Sequence, residues 1–322
     1  MTAKQQNGSQ AKFGDLPPSR VQHRGAALVA ILAYALLWGG AAGYLAATGG
    51  DWTTPTLVLG IFGIALSGLA WLLTRGAIAS AIPVARPALE SGAMLGFVAL
   101  YAVLFLGFGM SAARAAFPPG REQEVLVLAL KLAVHVALPM LVLLMLRAKL
   151  APLFHAGLSG RKFWRTLIVL GVIFLALLAV ISPSLADIAA TNVSLEVLAW
   201  AAPVSLIWLS LEAGLTEEFL FRAVLQTRLS AWLRSPWFGV VAASLLFGLA
   251  HAPGLFLRGG PGVDGWSADP LQVIAHTIAT LSPIGLLFGL IYVRTKSLLL
   301  VVLLHGLIDL LPNLSEFIAV WT

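Results

Sequence analysis

Polar positions are the exception along this chain, and their spacing sets its architecture. Apolar runs of about twenty residues, each long enough as a helix to cross roughly 30 Å of hydrocarbon, recur from Ala26 to the C-terminus. Short polar or turn-forming segments separate them. The pattern predicts nine transmembrane helices, over 26–47, 55–74, 89–109, 125–146, 166–183, 197–227, 238–252, 270–293 and 297–316. The expected fold class is therefore all-α, a polytopic transmembrane helix bundle. Residues 1–24 lack apolar periodicity, carry Pro17 and Pro18, and read as a disordered tail. The chain then divides at a basic, Gly- and Pro-punctuated loop before 166. Helices one to four and that loop fill 25–165, and the remaining helices fill 166–322.

Composition agrees with this pattern and removes the soluble classes. Of 322 residues 59% are hydrophobic and 11% charged, and the mean hydropathy is +0.93. A net charge of +6 would suit a nucleic-acid binder if it were gathered on one patch. It is instead spread over alternate loops: the tail, then Arg75 and Arg86, Arg147 to Arg165, Arg228 and Arg234, and Arg294 with Lys296. The loops between are neutral or acidic, with Asp51, Asp187 and Asp264 among their residues. The positive-inside rule then places the N-terminus in the cytoplasm and leaves no nucleic-acid partner to expect. The first apolar run is longer than a signal peptide's core, so it is expected to stay as an uncleaved helix. With no cysteine, disulfides, thiolate metal sites and cysteine catalysis are excluded.

Charge inside the apolar runs is almost confined to the second part of the chain. Glu212, Glu217, Glu218, Arg222, His251, His276, His305 and Asp309 all fall there. An ionisable group at mid-membrane costs a few kcal/mol, so such groups face the bundle interior or a wet cavity and have partners. In "GLTEEFLFR" (214–222), Glu218 and Arg222 are four apart and share a helix face, whereas Glu217 points about 100° away. Arg222 can hold Glu218 and leave Glu217 free as a general base. In "FGLAHAP" (247–253), Phe247 and His251 share a face of a helix expected to stop at Pro253, with the aromatic as a site wall. In "HGLID" (305–309), His305 and Asp309 point the same way. At 1.5 Å per residue, Glu217, His251 and His305 lie about 16, 20 and 12 Å in from the basic loops, depths similar enough for one site.

Blander readings stand beside this one. A lone intramembrane histidine is more often a helix-to-helix hydrogen bond than a ligand, and a lone Glu–Arg pair is often structural. That reading is preferred for His276 and Glu212, and Lys131 with His135 reads as a packing or interfacial feature. It is not preferred for the six residues that converge in depth. Two histidines and several carboxylates can hold a divalent metal such as zinc, through His251, His305, Glu217 and Asp309, or activate water without one. Both are hydrolase arrangements. No H-E-x-x-H, G-x-S-x-G, Walker or dinucleotide glycine motif is present, and no internal repeat of the transporter kind.

The order E-E-x-x-x-R, F-x-x-x-H, H-x-x-x-N/D, each on an apolar helix, resembles the CAAX protease and bacteriocin-processing (CPBP, or abortive-infection) family of intramembrane proteases. The resemblance spans about 200–312. It implies an α-helical membrane endopeptidase in which Glu217, helped by His251, activates water, while Glu218 and Arg222 fix the geometry. His305 and Asp309 would then stabilise the oxyanion, or ligate a metal if one is used. Asp309 stands where the prenyl-protease branch has Asn, so it is protonated, partnered with His305, or a metal ligand. The expected function is cleavage of a membrane-associated peptide or protein substrate, in a bacterial-type cell membrane. A non-enzymatic scaffold or immunity factor and a proton-coupled transporter are the alternatives.

Overall fold

The computed structural model describes residues 20–77, 82–154 and 157–322. Residues 1–19 of the expected tail lie outside these; Arg20 already opens the first helix. No strand occurs among the described residues, and nine helices are long and apolar enough to cross a membrane. They are α1 (Gly25–Ala47), α2 (Thr53–Leu73), α3 (Pro87–Ala115), α4 (Arg121–Met145), α5 (Gly160–Ile181), α6 (Leu195–Trp232), α7 (Pro236–Arg258), α8 (Pro270–Thr295) and α9 (Leu298–Trp321). A short helix, Ser184–Ala190, links α5 to α6. The chain is an integral multi-pass membrane protein. One face of the bundle carries the loops rich in Arg and Lys, from Arg75 to Lys296, and is called the basic face below.

α7 runs further than proline placement predicts, through Pro253 to Arg258, while α9 crosses Pro312 as its apolar run predicts and ends at Trp321. A proline removes one hydrogen bond from a ladder, and in a membrane bundle neighbouring helices compensate for it more easily than for a broken end exposed to lipid. The expected stop at Pro253 is therefore corrected, and His251 sits within a continuous helix.

The last four helices begin on capping side chains. Ser194, Ser235, Asp269 and Ser297 accept backbone N–H bonds from Val197, Phe238, Leu271 and Leu300. Small residues then let these helices approach closely. A Cβ on Gly248 of α7 would stand 2.5 Å from the Thr277 carbonyl of α8, and one on Gly214 of α6 would stand 2.5 Å from the Val302 carbonyl of α9. Without a hydrophobic drive between helices in lipid, such contact is what holds them. The result is a compact α6–α9 core, against which α1 to α5 pack.

A candidate active site

α6 is interrupted by wide π-helical turns over Ser210–Leu215 and Phe219–Gln226, with Thr216–Glu218 between them. Such turns add a residue to the ladder and re-aim side chains, and they recur at functional sites. Here they set the two adjacent carboxylates to different tasks. Glu218 is fully buried, with Oε2 3.2 Å from Arg222 Nε and Oε1 accepting a 2.9 Å hydrogen bond from His305 Nδ1. Glu217 turns instead into the space between two imidazoles. Its Oε1 is 3.9 Å from His251 Nε2 and its Oε2 is 3.8 Å from His305 Nε2.

Those separations are too long for direct hydrogen bonds and leave room for a shared water. The imidazoles are held from behind. His251 Nδ1–H donates to the Phe247 carbonyl at 2.7 Å, which leaves Nε2 as the atom that faces Glu217. His305 is fixed on its Nδ1 side by Glu218, and its ring lies flat against Phe288, with centroids 5.2 Å apart. Its Nε2 also faces Asp309 Oδ2 at 3.5 Å. Phe247 stands between the Arg222 guanidinium, 4.7 Å from its ring centre, and the His251 ring at 4.9 Å. All six charged or ionisable residues singled out by spacing, with Phe247, thus meet in one place. His276 lies elsewhere, on α8 beside Gly265.

The first helices contribute side chains that were expected only as packing features or not at all. His135 of α4 is buried, donates Nδ1–H to the Lys131 carbonyl at 2.8 Å, and accepts from the Tyr101 hydroxyl of α3 at 2.8 Å. It lies within electrostatic reach of Glu217, as does Lys131. Lys131 Nζ also meets Glu212 Oε1 of α6 at 2.6 Å. Lys131 and Glu212 were expected as separate structural residues; the structure joins them in one ion pair next to the site. The polar i, i+4 pair on α4 was the only sign of this in the sequence, since Tyr101 is one aromatic among many.

Among the described residues, no group of three or more His, Asp or Glu side chains is placed so that it could hold a metal ion. The donors expected for zinc, His251, His305, Glu217 and Asp309, face one another pairwise at 3.5 to 3.9 Å. What the arrangement offers is a carboxylate and an imidazole nitrogen facing each other at 3.9 Å without a direct hydrogen bond, and a second imidazole held by a buried carboxylate.

No curated protein and no solved structure matches the chain. Residues 198–311, the part that supplies Glu217, Glu218, Arg222, His251, His305 and Asp309, match the family described as type II CAAX prenyl endopeptidase Rce1-like, a protease family. This stretch is therefore similar to an Rce1-like domain, consistent with the CPBP membrane proteases that its three motifs resemble.

Proposed function

We propose that the protein is an intramembrane endopeptidase that hydrolyses a peptide bond of a membrane-associated peptide or protein with water activated by Glu217. The observation that carries this reading is the division of labour between neighbouring carboxylates. Glu218 is engaged by Arg222 and His305, while Glu217 faces His251 Nε2 across 3.9 Å with no direct hydrogen bond. A water in that gap donates one proton to Glu217 and its other hydrogen to the His251 Nε2 lone pair. The hydroxide formed as Glu217 takes the proton attacks the substrate carbonyl carbon. His305, carrying protons on both nitrogens among the carboxylates of Glu217, Glu218 and Asp309, donates Nε2–H to the oxyanion. Collapse breaks the C–N bond, and Glu217 returns its proton to the leaving amine. Arg222 and Phe247 are positioning residues: they hold Glu218 and the His251 ring.

The family's description names a CAAX prenyl endopeptidase, which makes a lipidated C-terminal segment one substrate to look for. The test is a mass-spectrometric map of protein termini in membranes that express the wild-type chain or an equally abundant Glu217→Gln chain. Termini lost in the variant establish proteolysis and identify the substrates. Coinciding maps at matched abundance overturn the proposal and leave the cluster as a structural polar network. A strong divalent-metal chelator is expected to leave the Glu217-dependent termini in place.

A further inference from the structure

The surroundings of the site differ sharply between the two faces of the bundle. Towards the basic face it is sealed. Every residue from Glu218 to Leu229 on α6 is buried. The loop turn Ala151–Phe154 closes over this stretch, with Leu153 buried and Phe154 stacked on Phe219 at 5.6 Å. Nearby, Arg228 and Glu90, both buried, pair at 3.5 Å.

Towards the opposite face a cleft lies close by. It has a volume of about 110 Å³ and sits between the ends of α3 and α4 and the outer parts of α6 and α9, with Arg114, Glu124, Trp208, Asn313 and Trp321 on its walls. Glu212 forms part of its lining and is paired there with Lys131. Both side chains keep about a sixth of their surface accessible, 16% and 17%, at a depth where an ion pair without water is costly. The inner end of the cleft, at Glu212 and Asn313, comes within one turn of site residues on two helices. Glu212 lies one wide turn of α6 from Glu217, and Asn313 lies one turn of α9 from Asp309, about 6 Å, with its Nδ2–H on the Asp309 carbonyl at 2.8 Å. Three site residues are partly accessible, Asp309 at 31%, His251 at 29% and Glu217 at 17%, while His305 is 8% and Glu218 is closed off.

We propose that this cleft is the passage by which water and an extended hydrophilic segment of the substrate reach Glu217, from the face opposite the basic loops. Substrates are then membrane-associated chains whose hydrophilic continuation beyond the scissile bond projects on that face. The substrate part of this inference rests on the proteolytic reading; the passage itself does not.

The chain has no cysteine, so one introduced thiol reports alone. Chains carrying Glu217→Cys, or His251→Cys as a second reporter, are placed in sealed vesicles. A membrane-impermeant trimethylammonium thiosulfonate is then added to either side. Lys149→Cys marks the basic face and Asp264→Cys the other. The expected result is modification of both reporters from the Asp264 side only, slowed by at least an order of magnitude when Asn313→Trp plugs the cleft. Modification from the Lys149 side, or a rate indifferent to Asn313→Trp, overturns the passage. In a chain with Glu217 intact, Asn313→Trp at matched abundance is expected to remove the Glu217-dependent termini, and their persistence overturns the substrate route. If the wild-type chain yields no such termini, proteolysis falls while the labelling still decides the passage.

Discussion

The first five spans are somewhat more apolar than the last four, and the two groups are built in different ways. In α1 to α5, between 17% and 33% of the most apolar window of each span is buried inside the protein; in α6 to α9 the share is 33% to 61%. The glycines show why. A side chain added at Gly39, Gly40, Gly43, Gly92 or Gly96 would meet nothing, whereas one at Gly214, Gly248, Gly285 or Gly306 would strike the facing helix. Lipid is as good a solvent for leucine as a neighbouring helix is, so hydrophobicity does not sort inner from outer helices in a bilayer. Close approach and polar pairing do. The early spans act as a shell that joins the core at polar points that include Glu90 to Arg228, Lys131 to Glu212, Tyr34 to Ser282 and Thr74 to Arg294.

The largest effect should fall on chemistry and leave the core standing. Glu217→Gln or His251→Ala is expected to lower cleavage by about 10²–10⁴-fold with unchanged abundance and thermal stability, as read from the termini map and unfolding in detergent. A comparable loss of stability instead would mean that these groups hold the core together. At the seam between the two regions, Arg228→Ala leaves the buried Glu90 carboxylate unpaired and should cost about 3 to 5 kcal/mol. Detergent denaturation followed by light scattering measures it, and an effect under about 1 kcal/mol would show that the seam is held elsewhere.

Paired glycine variants sharpen the contrast most directly. Gly248→Leu should destabilise by at least about 1 to 3 kcal/mol, because the clash is with backbone, while Gly40→Leu, which has open space, should change little. Equal effects in the two would remove the distinction between shell and core. Smaller still, Tyr101→Phe deletes one hydroxyl to His135 and is expected to cost about 1 to 2 kcal/mol, with only a modest change in cleavage.

The smallest effect lies at the rim of the shell. Asp51 accepts hydrogen bonds from Thr54 and Thr53 at the start of α2, and these hold its carboxyl down to about 2, below its usual 3.8. A lowered value in the folded state means that the contribution is present above pH 3.8 and is lost as the pH falls towards 2. Asp51→Asn should flatten that acid limb slightly in a pH series of melting temperatures, and an unchanged limb would show that these bonds do not matter to folding.

Much of this architecture was legible one helix at a time. Run length placed every span with its ends within six residues, because a bilayer of fixed thickness demands helices of about that length. Spacing of four placed Glu218 with Arg222, Phe247 with His251 and His305 with Asp309, since helical geometry needs only the local chain. The longer course of α7 was not legible: a proline reads as a stop unless neighbouring helices compensate for the bond it removes.

What tertiary structure alone decided is how those faces meet. Glu218 is shared between Arg222 and His305, Lys131 of α4 finds Glu212 of α6, and Tyr101 of α3 supports His135. Each joins residues on different helices, and no periodicity encodes which of nine similar apolar helices will be neighbours. The sealing of the site on the basic side and its opening on the other are of the same kind. They depend on which helices touch, and in lipid that is settled by close packing and polar pairing between helices rather than by hydrophobic content.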